Sequence, residues 1–378
     1  MRSVPARSRS HAIVACAIVV VVGLACAGPA IAQGAPNSPI TQSPNSPISR
    51  WEIEGAAGVG VGSLTSGTTA LPGPGAPIAT STPIFPSRQT SSWLFGDGAS
   101  LLNAVNAEFG LAGRIVPLDA ALVRPGVPHA GSFGVRVRRN TSPHWAMEFG
   151  VDTTSNLAEA DEALGAAVES TRSSFESAFA DLLASGPFAS VLVRANGSTA
   201  AGSLRETTLT FALNRRFGPW GAFAPYATLG GGAALGSGTG SSVALAAQYR
   251  FTVLGAVPIG EDDTVAVRYR SGTAFVAVAG GGVEHGFSGR WGLRIDARVL
   301  IGPDPARVEV DASPTFVRAS GAASGFVESF TNPAIQFSND PATGRVSSLS
   351  GAPLSGFEVF NGGTRARTQI TVGVTRRF

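Results

Sequence analysis

Gln369-Ile370-Thr371-Val372-Gly373-Val374-Thr375-Arg376-Arg377-Phe378 alternates without a break to the last residue. Successive strand side chains point to opposite faces. Ile370, Val372, Val374, Arg376 and Phe378 therefore share one mostly apolar face, and Gln369, Thr371, Gly373, Thr375 and Arg377 share a polar one. The terminal aromatic suits a membrane–water interface. The run reads as the closing strand of a transmembrane barrel.

The other end of the chain supports export. Arg2, Arg7 and Arg9 precede an apolar stretch from Ala12 to Ala27. Gly28 and Pro29 break it, and Ala30-Ile31-Ala32 forms an A-x-A cleavage site before Gln33. Residues 1–32 are thus expected to be a signal peptide cut after Ala32. A retained anchor is the lesser reading because the apolar core is short. A lipoprotein anchored at Cys26 is weaker still, because Gly23 stands where such signals place leucine. Residues 33–50 carry Pro36-Asn37-Ser38-Pro39-Ile40 and then Pro44-Asn45-Ser46-Pro47-Ile48, a proline density that favours a disordered periplasmic linker.

Charge excludes one class of partner. The chain has 28 basic and 25 acidic residues, and three of the arginines lie in the signal. The mature chain is neutral, so nothing points to nucleic acid. Both cysteines, Cys16 and Cys26, leave with the signal, which removes any disulfide. Lysine is absent; every basic residue is arginine.

From Trp51 onward the hydrophobic period is two. Trp51, Ile53, Ala57, Val59 and Val61 oppose Glu52 and Glu54. Phe133, Val135 and Val137 oppose Arg136 and Arg138, and Trp145, Met147, Phe149 and Val151 oppose Glu148 and Asp152. Trp291, Leu293, Ile295, Ala297 and Val299 oppose Arg294, Asp296 and Arg298. Eight strands are expected near 51–61, 130–139, 145–153, 204–217, 223–233, 274–287, 291–302 and 367–378. The gaps between them run 68, 5, 50, 5, 40, 3 and 64 residues, long and short in strict alternation. Outer-membrane barrels combine short periplasmic turns with long outer loops. The expected fold is all-β: an eight-stranded antiparallel up-and-down transmembrane barrel over 51–378, with long, partly helical outer loops at 62–129, 154–203, 234–273 and 303–366.

The signal, the eight strands, the run Thr371–Phe378 and Trp291-Gly292-Leu293-Arg294-Ile295-Asp296-Ala297-Arg298 together resemble the small OmpA-type outer-membrane barrels. More narrowly, residues 51–378 are similar to uncharacterised barrels with a long, partly helical first and second loop. The resemblance implies an outer-membrane location and a final strand, with Ile370, Val372, Val374 and Phe378, that signals to the outer-membrane assembly machinery. Trp51, Trp145 and Trp291 are expected at the membrane interface. Arg376 departs from the family, which places an apolar residue there. The peptidoglycan-binding domain that follows the barrel in OmpA is expected to be absent.

Inward faces carry Glu52, Glu54, Glu148, Asp152, Glu284 and Asp296 against Arg136, Arg138, Arg216, Arg294, Arg298 and Arg377. An eight-stranded barrel is only wide enough for side chains to fill it. Buried charges must pair, so a salt-bridged, closed interior is expected, with a gated pore or a catalytic carboxylate pair as minor alternatives. Among the mature histidines, His144 and His285 belong near short turns and His129 at the outer end of the first loop. None has a serine at strand spacing. Phe95-Gly96-Asp97-Gly98-Ala99-Ser100 lacks a serine after the aspartate, and no G-x-S-x-G elbow occurs. Asp97 reads instead as the start of a helix over Ala99–Phe109, closed by Gly110. Gly230-Gly231-Gly232 and Gly280-Gly281-Gly282 lie inside strands with no helix following, so they are not phosphate loops. These strands should be neighbours, their glycines making room for inward Arg and Tyr side chains. No metal or cofactor spacing is present.

In the second loop, Leu157, Ala160, Leu164, Val168, Thr171, Phe175, Phe179 and Leu182 form a helical stripe. Asn156 with Glu159 resembles a capping pair, and Gly186-Pro187 ends the helix. This helix is expected to pack over the barrel mouth against Trp93–Leu111. The expected role is non-enzymatic: structural, adhesive or surface-recognising through the outer loops, in contact with outer-membrane lipid and lipopolysaccharide. The rivals are a narrow passive channel and a lipid-modifying outer-membrane enzyme.

Overall fold

The computed structural model of the chain describes residues 51–65, 67–78, 87–122, 130–158, 162–186, 188–219, 222–253, 259–287, 290–318, 335–336 and 347–378. The signal peptide, the linker, His129, Glu159 and Ala160 lie outside these residues.

Eight strands close into an antiparallel barrel: β1 (Trp51–Thr65), β3 (Ala130–Asn140), β4 (Trp145–Ala158), β6 (Gly202–Arg216), β7 (Phe223–Thr239), β10 (Thr273–Gly286), β11 (Trp291–Pro303) and β14 (Thr364–Arg377). Each predicted strand is present at its predicted place. β14 closes the ring against β1 on one side and β11 on the other. Even positions of β1 and odd positions of β14 face inward, as the alternation requires. The outward face exposes large apolar residues all round, among them Phe133, Phe149, Phe211, Leu229, Phe275, Ile295 and Val372; Phe275 is 81% exposed.

The long connections are not simply partly helical loops. They build a second, six-stranded sheet from β2 (Thr68–Thr69), β5 (Phe188–Ala200), β8 (Ser242–Val253), β9 (Ile259–Ser271), β12 (Ala306–Arg318) and β13 (Leu354–Asn361). Its order, β2-β13-β12-β9-β8-β5, repeats the barrel order β1-β14-β11-β10-β7-β6. Each head strand continues its barrel neighbour after a break of one or two residues, for example Gly272 between β9 and β10 and Gly240-Ser241 between β7 and β8. The head is therefore an extension of six barrel strands into an open sheet. Period two also holds in these segments: Val243, Leu245, Ala247, Tyr249 and Phe251 are buried between more exposed neighbours.

Helices α1 (Gly98–Glu108), α2 (Asp119–Leu122) and α3 (Glu162–Ala184) complete the head. Leu164, Val168, Thr171, Phe175, Phe179 and Leu182 are all buried, as their stripe predicts. Phe179 stacks on Tyr249 of β8 at 4.6 Å and meets the Trp93 edge at 5.9 Å. Burying each such phenyl ring is worth roughly 1.5–3 kcal/mol. Asn106 of α1 donates from Nδ2 to the Ala178 carbonyl at 3.2 Å, so α3 does pack against the first-loop segment. One helix start needs correction, and the other stands where it was expected. α3 begins at Glu162, not near Leu157, because Asn156 and Leu157 pair with Leu204 and Ser203 and extend β4. Asp97 stands at the start of α1, but its side chain makes no cap; its carboxylate accepts from Arg88 Nε at 2.7 Å and Thr90 Oγ1 at 2.9 Å.

Candidate functional site

The barrel interior gathers all twelve predicted charges. Near the short-turn rim, Glu52 meets Arg138 at 3.1 Å, Arg216 at 3.0 Å and Arg377 at 3.6 Å. Glu284 pairs with Arg138 and lies 3.5 Å from Arg216. One level further in, Arg136 bridges Glu54 at 3.2 Å, Asp152 at 3.2 Å and Asp296 at 2.8 Å. Arg294 contacts Glu54 at 2.8 Å and Glu148 at 2.7 Å. Arg298 contacts Glu148 at 2.6 Å and Asp296 at 2.5 Å. These partners come from β1, β3, β4, β6, β10, β11 and β14, so the network crosses the lumen rather than following one strand.

Neutral residues that sequence reasoning did not single out fill the remaining positions. Tyr226 lies against Arg294, whose guanidinium carbon sits 4.2 Å from the ring centroid and whose Nε donates to the phenol oxygen. Asn214 donates to Glu148 at 3.1 Å, and Asn140 to Glu52 at 3.0 Å. Close to the head, Glu206 pairs with Arg365 and, at 2.9 Å, with Arg367. Glu206 and Arg367 already lie at inward positions of the predicted strands 204–217 and 367–378, and extending the last strand by two residues adds Arg365.

Glycines open the space. Gly230 and Gly280 do lie on paired neighbours, β7 and β10. A Cβ at Gly282 would stand 2.5 Å from the Tyr226 hydroxyl, and one at Gly373 2.8 Å from Glu54 Cγ. Both positions need a bare backbone because a large side chain crosses it.

The head holds a second polar cluster that the sequence reading missed. Glu261 and Asp263 sit on the buried face of β9, each about 1% exposed. Glu261 accepts from the hydroxyls of Tyr249 and Ser347. Asp263 accepts from Ser92 Oγ at 2.9 Å and from the Trp93 amide at 2.7 Å. Burial pushes the Glu261 carboxyl up to about 8 and the Asp263 carboxyl up to about 7; the donated hydrogen bonds oppose this only in part. Both are protonated in the folded head at mildly acidic pH. In the unfolded chain they ionise near pH 4. The folded head binds more protons than the unfolded one between pH 4 and pH 8, so its stability falls as pH rises through that window. The slope is at most about 1.4 kcal/mol per pH unit for each group. Amide hydrogen exchange at Trp93 and Leu94, corrected for intrinsic rate, should accelerate from pH 5 to pH 8. In Glu261→Gln the acceleration should be smaller, and an identical profile in that variant would refute the assignment.

The rim residues are also placed. Trp51, Trp145 and Trp291 are exposed at the first positions of β1, β4 and β11. Arg376 lies over the Trp291 ring at 5.5 Å and the Phe378 ring at 5.1 Å. His285 points its ring at Phe223, with centroids 5.2 Å apart, and His144 is in the turn before β4. Ser100 donates to the Asp97 carbonyl and has no histidine partner among the described residues.

No family model and no curated protein matches the chain. Among solved structures, CarO of Acinetobacter baumannii aligns over 67% of this chain and 93% of its own, at 14% identity and a TM-score of 0.20. The toluene transporter TodX of P. putida aligns over 88% of this chain and 91% of its own, at 9% identity and a TM-score of 0.15. Superposition this loose says nothing about role; the fold assignment rests on the strand pairing itself.

Proposed function

We propose that the chain is an outer-membrane barrel of the OmpA type, closed by its interior ion pairs, which presents a folded head for a structural, adhesive or recognition role at the outer surface. One observation carries the reading: the polarity of the exposed faces inverts at the hinges, the one- or two-residue breaks between barrel and head strands. Around the barrel the exposed face is apolar, from Phe133 and Phe149 to Ile295 and Val372. On the head sheet the exposed face carries cross-strand ion pairs, Arg250–Asp262 at 2.6 Å, Arg268–Asp311 at 3.0 Å, Arg270–Glu309 at 3.0 Å and Arg307–Glu358 at 2.7 Å. An apolar surface this extensive has no place in water, and a charged one has none in lipid. The hinges therefore mark the outer membrane boundary, with the short turns in the periplasm. The export signal ending at Ala32 agrees with this placement.

Closure follows from the pairing. Arg136, Glu148, Arg294 and Asp296 are each at most about 1% exposed, and they span the lumen. Moving an ion past them requires breaking several buried pairs at once. The purified protein added to a planar bilayer should insert without conductance steps. Regular ohmic steps would instead establish the channel reading.

A further inference from the structure

We propose that the short-turn rim is a repeated binding belt for anionic phospholipid headgroups; this rests on the transmembrane placement above. The observation is a regular alternation that appears only when the strands are read in their order around the barrel. At this rim β11, β14, β1, β3, β4 and β6 are consecutive neighbours. They carry, in turn, Trp291, Arg376, Trp51, Arg139, Trp145 and Arg215. The two remaining strands, β7 and β10, carry Phe223 and His285. Every strand that starts at the rim opens on an aromatic, and every strand that ends there has a basic residue second from its end.

The pairs are in register. Trp51 is opposite Arg139, Trp145 opposite Arg215, Trp291 opposite Arg376 and Phe223 opposite His285. The guanidinium carbons of Arg139, Arg215 and Arg376 lie 5.5 Å, 5.7 Å and 5.5 Å from their indole centroids. Contact with an aromatic face restrains a guanidinium while leaving its N–H groups free to donate.

Charge balance separates this belt from the rest of the molecule. Arginines of the barrel interior are held by carboxylates, as described above. Arg139, Arg215 and Arg376 are exposed and form no ion pair with a described residue. The outward positions of the barrel strands between rim and hinges hold no Asp or Glu among the described residues. The belt thus carries positive charge that no outward Asp or Glu side chain balances among the described residues, at the depth where indole rings settle, which is the headgroup level. The complementary group there is a phosphate. A guanidinium binds it with paired hydrogen bonds, and an anionic headgroup such as phosphatidylglycerol keeps its net charge where phosphatidylcholine has an internal cation. Aromatic residues alone would anchor the barrel in either lipid; the arginines add selectivity.

The test uses the full chain inserted into phosphatidylcholine vesicles containing a minority of phosphatidylglycerol. Electron spin resonance compares how strongly spin-labelled phosphatidylglycerol and phosphatidylcholine associate with the barrel surface. The parent should prefer the anionic label by about threefold or more. High salt should reduce that preference towards equality, and Arg139→Gln/Arg215→Gln/Arg376→Gln should abolish it. Arg205→Gln, which removes an outward arginine at the opposite end of the barrel, should leave it intact. Equal association of the two labels with the parent, or an undiminished preference in the triple variant, overturns the belt. Should the triple variant fail to insert, the salt dependence of the parent decides. Quenching of tryptophan fluorescence by lipids brominated on their acyl chains checks placement separately. Without quenching the transmembrane reading fails and the belt falls with it; quenching without lipid preference overturns the belt alone.

Discussion

Deleting Thr364–Phe378 should abolish the barrel both in cells and in detergent refolding, with no heat-modifiable band on gels. This segment contains β14, whose two edges pair with β1 and β11. On the proposed transmembrane placement, its loss leaves two rows of backbone N–H and C=O groups facing lipid. Open edges do not survive there, because each unsatisfied group costs several kcal/mol. Deleting Phe378 alone is a different perturbation. It removes one backbone bond, from the Phe378 amide to the Trp51 carbonyl at 3.0 Å, and the ring beside Arg376. The ladder stays whole, so refolding in vitro should proceed while assembly in cells slows. Parental assembly rates in cells after the single deletion would reduce Phe378 to a passive anchor.

Asp296→Arg should destabilise the barrel by about 3–5 kcal/mol, the cost of breaking a buried pair. Asp296 lies between Arg136 at 2.8 Å and Arg298 at 2.5 Å, with Arg294 at 3.9 Å. Reversal leaves three guanidiniums around a fourth in a space walled by paired strands. Asp296→Asn keeps the volume and removes only the charge, so it should lie between parent and reversal. Urea unfolding in detergent or vesicles, followed by tryptophan fluorescence, gives the order. A reversal variant as stable as the parent would mean that water screens the interior, which favours an open channel.

The deletion draws on what was legible in the sequence, and the reversal needs both levels. Ile370, Val372 and Val374 declared a strand by themselves, because alternation is a local property of adjacent residues. The parity of long and short gaps then set the direction of every barrel strand. Inward positions followed, so Arg294, Asp296 and Arg298 could be assigned to the lumen. Their partners could not. Asp296 meets Arg136 across 160 positions of chain, and nothing local specifies that pairing.

The head was missed for a related reason. Val243, Leu245, Ala247, Tyr249 and Phe251 alternate as clearly as any barrel strand. Eight strands already satisfy the parity rule, so nothing local marks these residues as strands of a further sheet rather than parts of the long connections. Glu261 and Asp263 were invisible as a pair of buried carboxyls, since burial depends on Ser92, Trp93 and Ser347, which arrive from distant connections. By contrast, the α3 stripe from Leu164 to Leu182 was readable because helical period is local too.

By itself, then, the sequence determined the eight stretches that form the barrel wall, which face of each is apolar, and that a barrel with four long connections on one side would follow. Tertiary structure alone decided that six of those strands continue in the same order into a head sheet, that the lumen charges cross-pair, and that Trp and Arg alternate around the rim. The physical reason is range. Alternation is set between neighbouring residues, whereas strand order, lumen contacts and the rim belt depend on ring closure, which places Phe378 beside Trp51 and β14 between β1 and β11.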